Sequence, residues 1–158
     1  MRPWWQRSRL CALLFRSAVS DAVESEDRPR RRGYAEGQEL LVYLVTSVQA
    51  VQRSGARFVF TDGHGLATFT IWYDDVRELH QVDWGLVGAR YWTDTSEDND
   101  RRRRKQAEFL VWQSLDWSLI RGIGVFDGTV KARVATTLGR FPDRQQPKVA
   151  VKRDWYYY

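Results

Sequence analysis

The chain has 158 residues, 43% hydrophobic and 28% charged, which suits one domain with a single core and excludes wholesale disorder. No run of about eighteen apolar residues occurs, which excludes a membrane-spanning helix; the lone Cys11 excludes an internal disulfide, and the distant His64 and His80 lack cysteine partners for zinc. The net charge of +5 is concentrated at the front, with eight arginines against four acids in residues 1–32 and seventeen basic against sixteen acidic residues in 33–158, so the body is close to neutral.

Residues 1–32 mix a Trp pair, scattered arginines and an Arg-Pro-Arg-Arg-Arg stretch without a sustained period. They hold no apolar core followed by a small-residue cleavage site, so no secretory signal is expected, and a cytoplasmic location is. The character changes at Gly33. The β-branched and aromatic content of 39–45 (ELLVYLV) predicts a buried strand. Thr46 or Ser47 is positioned to cap a short helix, SVQAVQRSG, ended by Gly55. A second strand is expected over 57–61 (RFVFT), closed by an Asp62-Gly63 turn. After the aromatic stretch 67–72, residues 73–82 (YDDVRELHQV) predict a short helix with acids in its first turn.

A long polar segment follows, acidic over 94–100 (DTSEDND) and abruptly basic over 101–105 (RRRRK), which we read as a loop. Residues 106–113 (QAEFLVWQ) predict a strand with Glu108, Leu110 and Trp112 on one face and Phe109 and Val111 on the other. A strand over 119–126, a helix over 130–138 and a strand over 148–156 complete the body. The expected class is α+β with a mixed or antiparallel sheet. Glu108 is the informative residue: a carboxylate early in an apolar strand, directly after five cations. Spacing leaves two readings, an edge glutamate facing water or tethered to an arginine, and a catalytic carboxylate whose preceding loop shapes a substrate site.

Five segments resemble the DarT family, toxins that ADP-ribosylate thymidine in single-stranded DNA. They are LVYLVTSVQAV (41–51), FVFTDGHG (58–65), WYDDVRELHQVDW (72–84), ARYW (89–92) and EDNDRRRRKQAEFLVW (97–112), matching in order and spacing. The resemblance implies an ADP-ribosyltransferase-like split β-sandwich with short flanking helices that grips NAD as a substrate, without a metal. It places Glu108 on the catalytic glutamate, within Gln106-Ala107-Glu108, and makes the segment from about Trp72 to Gln106 the substrate-recognition loop. A carboxylate bonded to the ribose 2′-hydroxyl can orient the sugar and stabilise the positive charge that develops as the nicotinamide bond breaks. It can also accept a proton as a thymine ring nitrogen attacks. The choice of thymine over guanine rests on the resemblance alone.

Around Glu108 we expect Gln106, Arg102, Arg103 and His64 to serve NAD; for His64 the alternative is a turn-stabilising role. Arg101, Arg104 and Lys105 are candidates for DNA phosphates, the alternative being a run paired with the acids of 94–100. Trp72, Trp84, Tyr91 and Trp92 are candidates to stack on extruded bases, a sequence-tolerant contact of roughly 1–3 kcal/mol per base. The implied partners are single-stranded DNA and a macrodomain antitoxin that removes ADP-ribose. Two other readings are a non-catalytic single-strand-binding module and an inactive remnant.

The family's first strand, with its NAD-binding histidine, and a following segment similar to D-Y-V-P-F-Y-F-x-P-R-S-P-M-L, are not found. Shifting the codons implied by residues 9–23 (RLCALLFRSAVSDAV) forward by one nucleotide permits D-Y-V-P-F-Y-F-A-P-R-S-P-M-L without interruption. The expectation is that residues 1–32 are out of frame or disordered, that 33–158 form a partial transferase domain incomplete at its N-terminus, and that the chain as written is inactive.

Overall fold

The computed structural model describes residues 38–156 together with the backbone of Ala12–Leu13. The expectation for residues 1–32 otherwise lies outside the described residues. Two compact units are present, one built by Ser47–Leu115 and the other by Ala12–Leu13, 38–46 and 116–156. The class is α+β.

In the first unit, helix α1 (Val48–Arg53) starts where expected. Ser47 is its N-cap and its hydroxyl accepts from Ala50 N at 3.2 Å. Gly55 then takes φ 74°, a conformation glycine adopts without penalty. Strand β3 (Phe58–Thr61) is central in an antiparallel three-stranded sheet, flanked by β4 (Trp72–Tyr73) and β5 (Phe109–Val111). The sheet's core is aromatic: Phe58 stacks on Phe109 with centroids 5.0 Å apart, and Phe60 stacks on Tyr73 at 5.2 Å. Burial against these rings and the Asp62 and Glu78 carboxylates push the Tyr73 phenol above its ordinary value.

Several expected boundaries move in this unit. The helix expected over 73–82 is a strand residue followed by a 3₁₀ turn, Val76–Gln81, capped by the Asp75 side chain. The polar segment contains a short helix α2 (Trp84–Gly88), whose N-cap Asp83 accepts from Leu86 N at 2.9 Å while Leu86 is buried. The RRRRK run is itself a helix, α3 (Arg101–Lys105), rather than a loop. The strand expected over 106–113 shrinks to β5, because Ala107 N and Gln106 N bond back to α3 carbonyls, and Gln113 turns out at φ 62°. The expected alternation holds: Phe109 is buried, while Leu110 and Trp112 face solvent.

The second unit has a mixed four-stranded sheet in the order β1 (Ala12–Leu13), β2 (Tyr43–Val45), β6 (Gly122–Val125), β7 (Lys148–Val151). The first two pairings are antiparallel and β6–β7 is parallel, joined by helix α4 (Gly128–Gly139). Asp127 caps α4, accepting from Val130 N at 2.9 Å. The helix lays Val130, Val134 and Leu138, one apolar stripe, against Ile123, Val125 and Val149. A second cluster joins Tyr43, Phe126 and Tyr156 with Leu41 and Trp155. Both tyrosines satisfy their hydroxyls, Tyr43 on Trp155 O at 2.9 Å and Tyr156 on Leu41 O at 2.7 Å. The strands expected over 39–45, 119–126 and 148–156 are shorter, each giving way to a 3₁₀ turn: Gln38–Leu40, Trp117–Leu119 and Arg153–Trp155.

Candidate active site

Glu108 stands one residue before β5, at the end of the three-stranded sheet. Its backbone is locked to Thr61. Thr61 N donates to Glu108 O at 2.9 Å, and Glu108 N donates to Thr61 Oγ1 at 2.9 Å. The buried Thr61 hydroxyl passes its own hydrogen to Gly63 O at 2.6 Å, so it also sets the turn that carries His64. This ring of bonds fixes where the Glu108 side chain emerges.

The two carboxylate oxygens have different surroundings. Oε1 lies 3.1 Å from His64 Nδ1 and accepts from Gly65 N at 3.4 Å. Oε2 has no hydrogen-bond partner among the described residues. It sits against Gly65, where an added Cβ would come within 3.1 Å of it and 3.3 Å of the Trp72 ring. Glu108 keeps 36% and His64 43% side-chain exposure. The half-buried group is therefore anchored on one oxygen, with the other oxygen without a hydrogen-bond partner among the described residues and an indole wall beside it.

His64 is held by its backbone as well as its ring. Its N–H donates to Arg103 O at 2.9 Å, and its carbonyl accepts from Thr70 Oγ1 at 2.6 Å and from Ala67 N at 2.9 Å. Helix α3 thus lies directly against the turn beside Glu108. The loop from Gly65 to β4 exposes Leu66 at 91% and Phe69 at 83%.

The basic run is mostly engaged within the unit. Arg103 grips Asp100 through Nε at 2.8 Å and Nη2 at 2.7 Å and reaches Asp62 through Nη1 at 3.0 Å. The hydrogen bonds to Asp100, then to Asp62, hold its guanidinium firmly charged. Arg104 pairs with Asp83 at 2.8 Å and with Asp98. Arg101 donates to Tyr91 O at 3.1 Å. Lys105 Nζ donates to Val87 O at 2.6 Å and Ala89 O at 2.7 Å, and burial pushes its ammonium below the usual lysine range. Arg102 alone in the run has an exposed side chain with no partner among the described residues.

The structure brings Glu108, His64, Trp72 and Arg103 together. Gln106 caps α3 with its side chain exposed. Trp84 is half-buried, its Nε1 donating to Leu79 O at 2.7 Å, and Trp92 is half-buried; Tyr91 is 80% exposed. Thr61, Gly65, Asp62 and Asp100 also belong to the site; the sequence reading gave Asp62 only a turn and Asp100 only a place among the acids of 94–100, and singled out neither Thr61 nor Gly65. Thr61 carried a usable signal, a hydroxyl at the end of an apolar strand before a turn. Among the described residues no group of His, Cys, Asp and Glu could hold a metal ion.

The family profile for "ssDNA thymidine ADP-ribosyltransferase, DarT" matches residues 15–157. The chain belongs to the DarT family. A DNA ADP-ribosyl transferase of Thermus sp. (strain 2.9) is 42% identical over 124 residues, 78% of this chain and 58% of that protein. Among solved structures, Thermus sp. 2.9 DarT in complex with NAD+ is 41% identical with TM-score 0.74, covering 78% of this chain and 61% of the other. The same Thermus DarT in complex with ADP-ribosylated ssDNA gives TM-score 0.74 at 41% identity, covering 78% and 58%. This member of the DarT family thus has an ADP-ribosyltransferase-like α+β fold, and it spans a little over half the length of the curated relatives it matches.

Proposed function

We propose that this chain carries the catalytic portion of an ADP-ribosyltransferase that uses NAD to modify thymine in single-stranded DNA. The observation that carries the reading is the divided Glu108 carboxylate, with Oε1 held by His64 and Gly65 and Oε2 left open. A charge aimed in advance at a sugar costs no reorganisation when the bond breaks. Bound NAD supplies a ribosyl group whose leaving nicotinamide is already cationic. Oε2 would accept a hydrogen bond from the ribose 2′-hydroxyl and stabilise the charge developing on the ring. As the thymine nitrogen attacks, the Glu108 carboxylate would receive its proton.

The donor set fits the sugar end of NAD: a half-exposed carboxylate, an adjacent imidazole and an indole wall. It fits the pyrophosphate less fully, since Arg103 is committed to Asp100 and Asp62. Within the run, Arg102 is the arginine left for a phosphate, whether of NAD or of the single strand. Trp72 is the aromatic best placed for the target base, with Tyr91 available to a neighbouring one. The self-paired RRRRK run weighs against a module that binds DNA by charge alone. The family resemblance extends the reading to a cytoplasmic toxin restrained by a macrodomain antitoxin, an ADP-ribosyl glycohydrolase.

Residues 1–32 we read as out of frame over the stretch where the family's arginine-bearing segment would stand, a reading to be set beside the family profile, which matches from residue 15. Sequencing the locus tests this, since no single-nucleotide correction restoring the motif would end the idea. The activity itself is tested by incubating the frame-corrected chain with labelled NAD and a thymine-containing oligonucleotide. Transfer is expected with Glu108 and lost in Glu108→Gln. Transfer that survives the substitution would refute the assignment.

A further inference from the structure

Helix α3 touches the segment before it along almost its whole length. Lys105 holds the carbonyls of Val87 and Ala89, at the C-terminal end of α2. Arg104 holds Asp83, the residue that caps the other end of α2, so the short helix is gripped at both ends by consecutive side chains. Further on, Arg101 holds Tyr91 O, Arg102 N holds Asp94, and Arg104 also holds Asp98. Apart from Trp84 Nε1 on Leu79 O and Asp100 under Arg103, segment 83–100 has one fully buried apolar residue, Leu86, and most of the stretch after Gly88 is solvent-exposed. Such a segment would otherwise open at small free-energy cost.

We infer that Arg104 and Lys105 are positioning residues that fasten segment 83–100 onto α3 and thereby fix how Trp84 and Tyr91 meet a single strand. The inference rests on the DNA-modifying reading for its purpose but not for its geometry. Four cations of the run act inward through carboxylates and carbonyls, and Arg102 alone is left facing outward. A guanidinium that bridges two carboxylates on opposite sides of a loop suits this task, because its planar fork fixes direction as well as distance. Lysine at position 105 suits two carbonyls that share one point charge.

The experiment compares the 158-residue chain with Arg104→Gln, Asp83→Asn, Lys105→Met and Arg102→Gln variants. Amide hydrogen exchange is followed segment by segment, together with binding of a fluorescein-labelled thymine oligonucleotide across a salt series. Arg104→Gln and Lys105→Met are expected to speed exchange over 84–99 by about ten-fold or more while Phe58–Thr61 stays protected. They are expected to weaken oligonucleotide binding without changing its salt slope. Arg102→Gln should leave exchange unchanged and flatten the slope by about 0.7, the value for one phosphate contact on a single strand. If Arg104→Gln unfolds the whole unit, Asp83→Asn, which removes one contact only, must still speed exchange over 84–99. Unchanged exchange in Arg104→Gln, or in Asp83→Asn where that variant decides, overturns the inference; a flattened salt slope in Arg104→Gln makes it a phosphate ligand and does the same. A chain that binds no oligonucleotide defeats the DNA reading instead, and the exchange result still decides the fastening.

Discussion

Thr61 and Glu108 are cross-linked by two hydrogen bonds, Thr61 N to Glu108 O and Glu108 N to the Thr61 side-chain Oγ1, both at 2.9 Å. Replacing the fully buried Thr61 by valine keeps the shape and removes the hydroxyl, leaving the Glu108 N–H without its partner. We expect Thr61→Val to cost about 1–3 kcal/mol in denaturant unfolding and Thr61→Ser to recover most of it. Equal stability of the three proteins would mean that the hydroxyl does not organise the site.

Gly65 makes a separate prediction, about chemistry more than stability. An added methyl would lie 3.1 Å from Glu108 Oε2 and 3.3 Å from the Trp72 ring. The carboxylate or the indole must then give way, and the open oxygen is the one displaced. In the frame-corrected chain, Gly65→Ala is expected to lower transfer from labelled NAD by about ten-fold or more, since small misplacements at reacting atoms are costly. The unfolding midpoint should barely move.

Acid should weaken the α3 region through Asp100. Its carboxyl is held below the ordinary value of 3.8, chiefly by the Arg103 hydrogen bonds. A depressed carboxylate stabilises the fold above its unfolded pKa, and that contribution is lost as pH falls through the folded one. Melting temperature should therefore decline between about pH 5 and pH 2, and Asp100→Asn should flatten the decline. A variant with the same acid profile as the parent would remove Asp100 from the account.

In the second unit, Gly124 lies under Trp155, and a Cβ there would come within 2.8 Å of Trp155 Cε3. The Trp155 carbonyl is tied to the Tyr43 hydroxyl, so the indole has little room to retreat. Gly124→Ala should destabilise by roughly 1–3 kcal/mol through overpacking, read as a lower denaturant midpoint. No loss would mean that the ring swings aside freely.

Features of the fold that depend on local chemistry were legible in the residues. The cap at Thr46 or Ser47, which falls on Ser47, the Gly55 stop and the helix over 130–138 are each decided within a few positions, and each stands within the bounds expected. The helix at Arg101–Lys105 was not legible, because five consecutive charges carry no apolar period. What supports it lies elsewhere in the chain, at Asp62, Asp83 and Asp98. Strand ends were overdrawn because apolar residues such as Leu41 and Trp155 belong to the core without belonging to a ladder. The prominence of Glu108 was visible from the sequence, and the resemblance gave it a role. Its company was visible only in part: His64 stood out as one of two histidines, whereas Thr61, Gly65 and Asp100 look ordinary until the sheet and α3 bring them together.

Strands β2 and β6 are hydrogen-bonded neighbours, with Val45 paired to Gly122, although all of Ser47–Leu115 intervenes between them. The intervening stretch therefore begins and ends at neighbouring strands of one sheet. Closing a longer excursion costs little, about 0.6 kcal/mol for each doubling of its length. Changes in the length of the intervening stretch are therefore expected to leave the β2–β6 ladder intact.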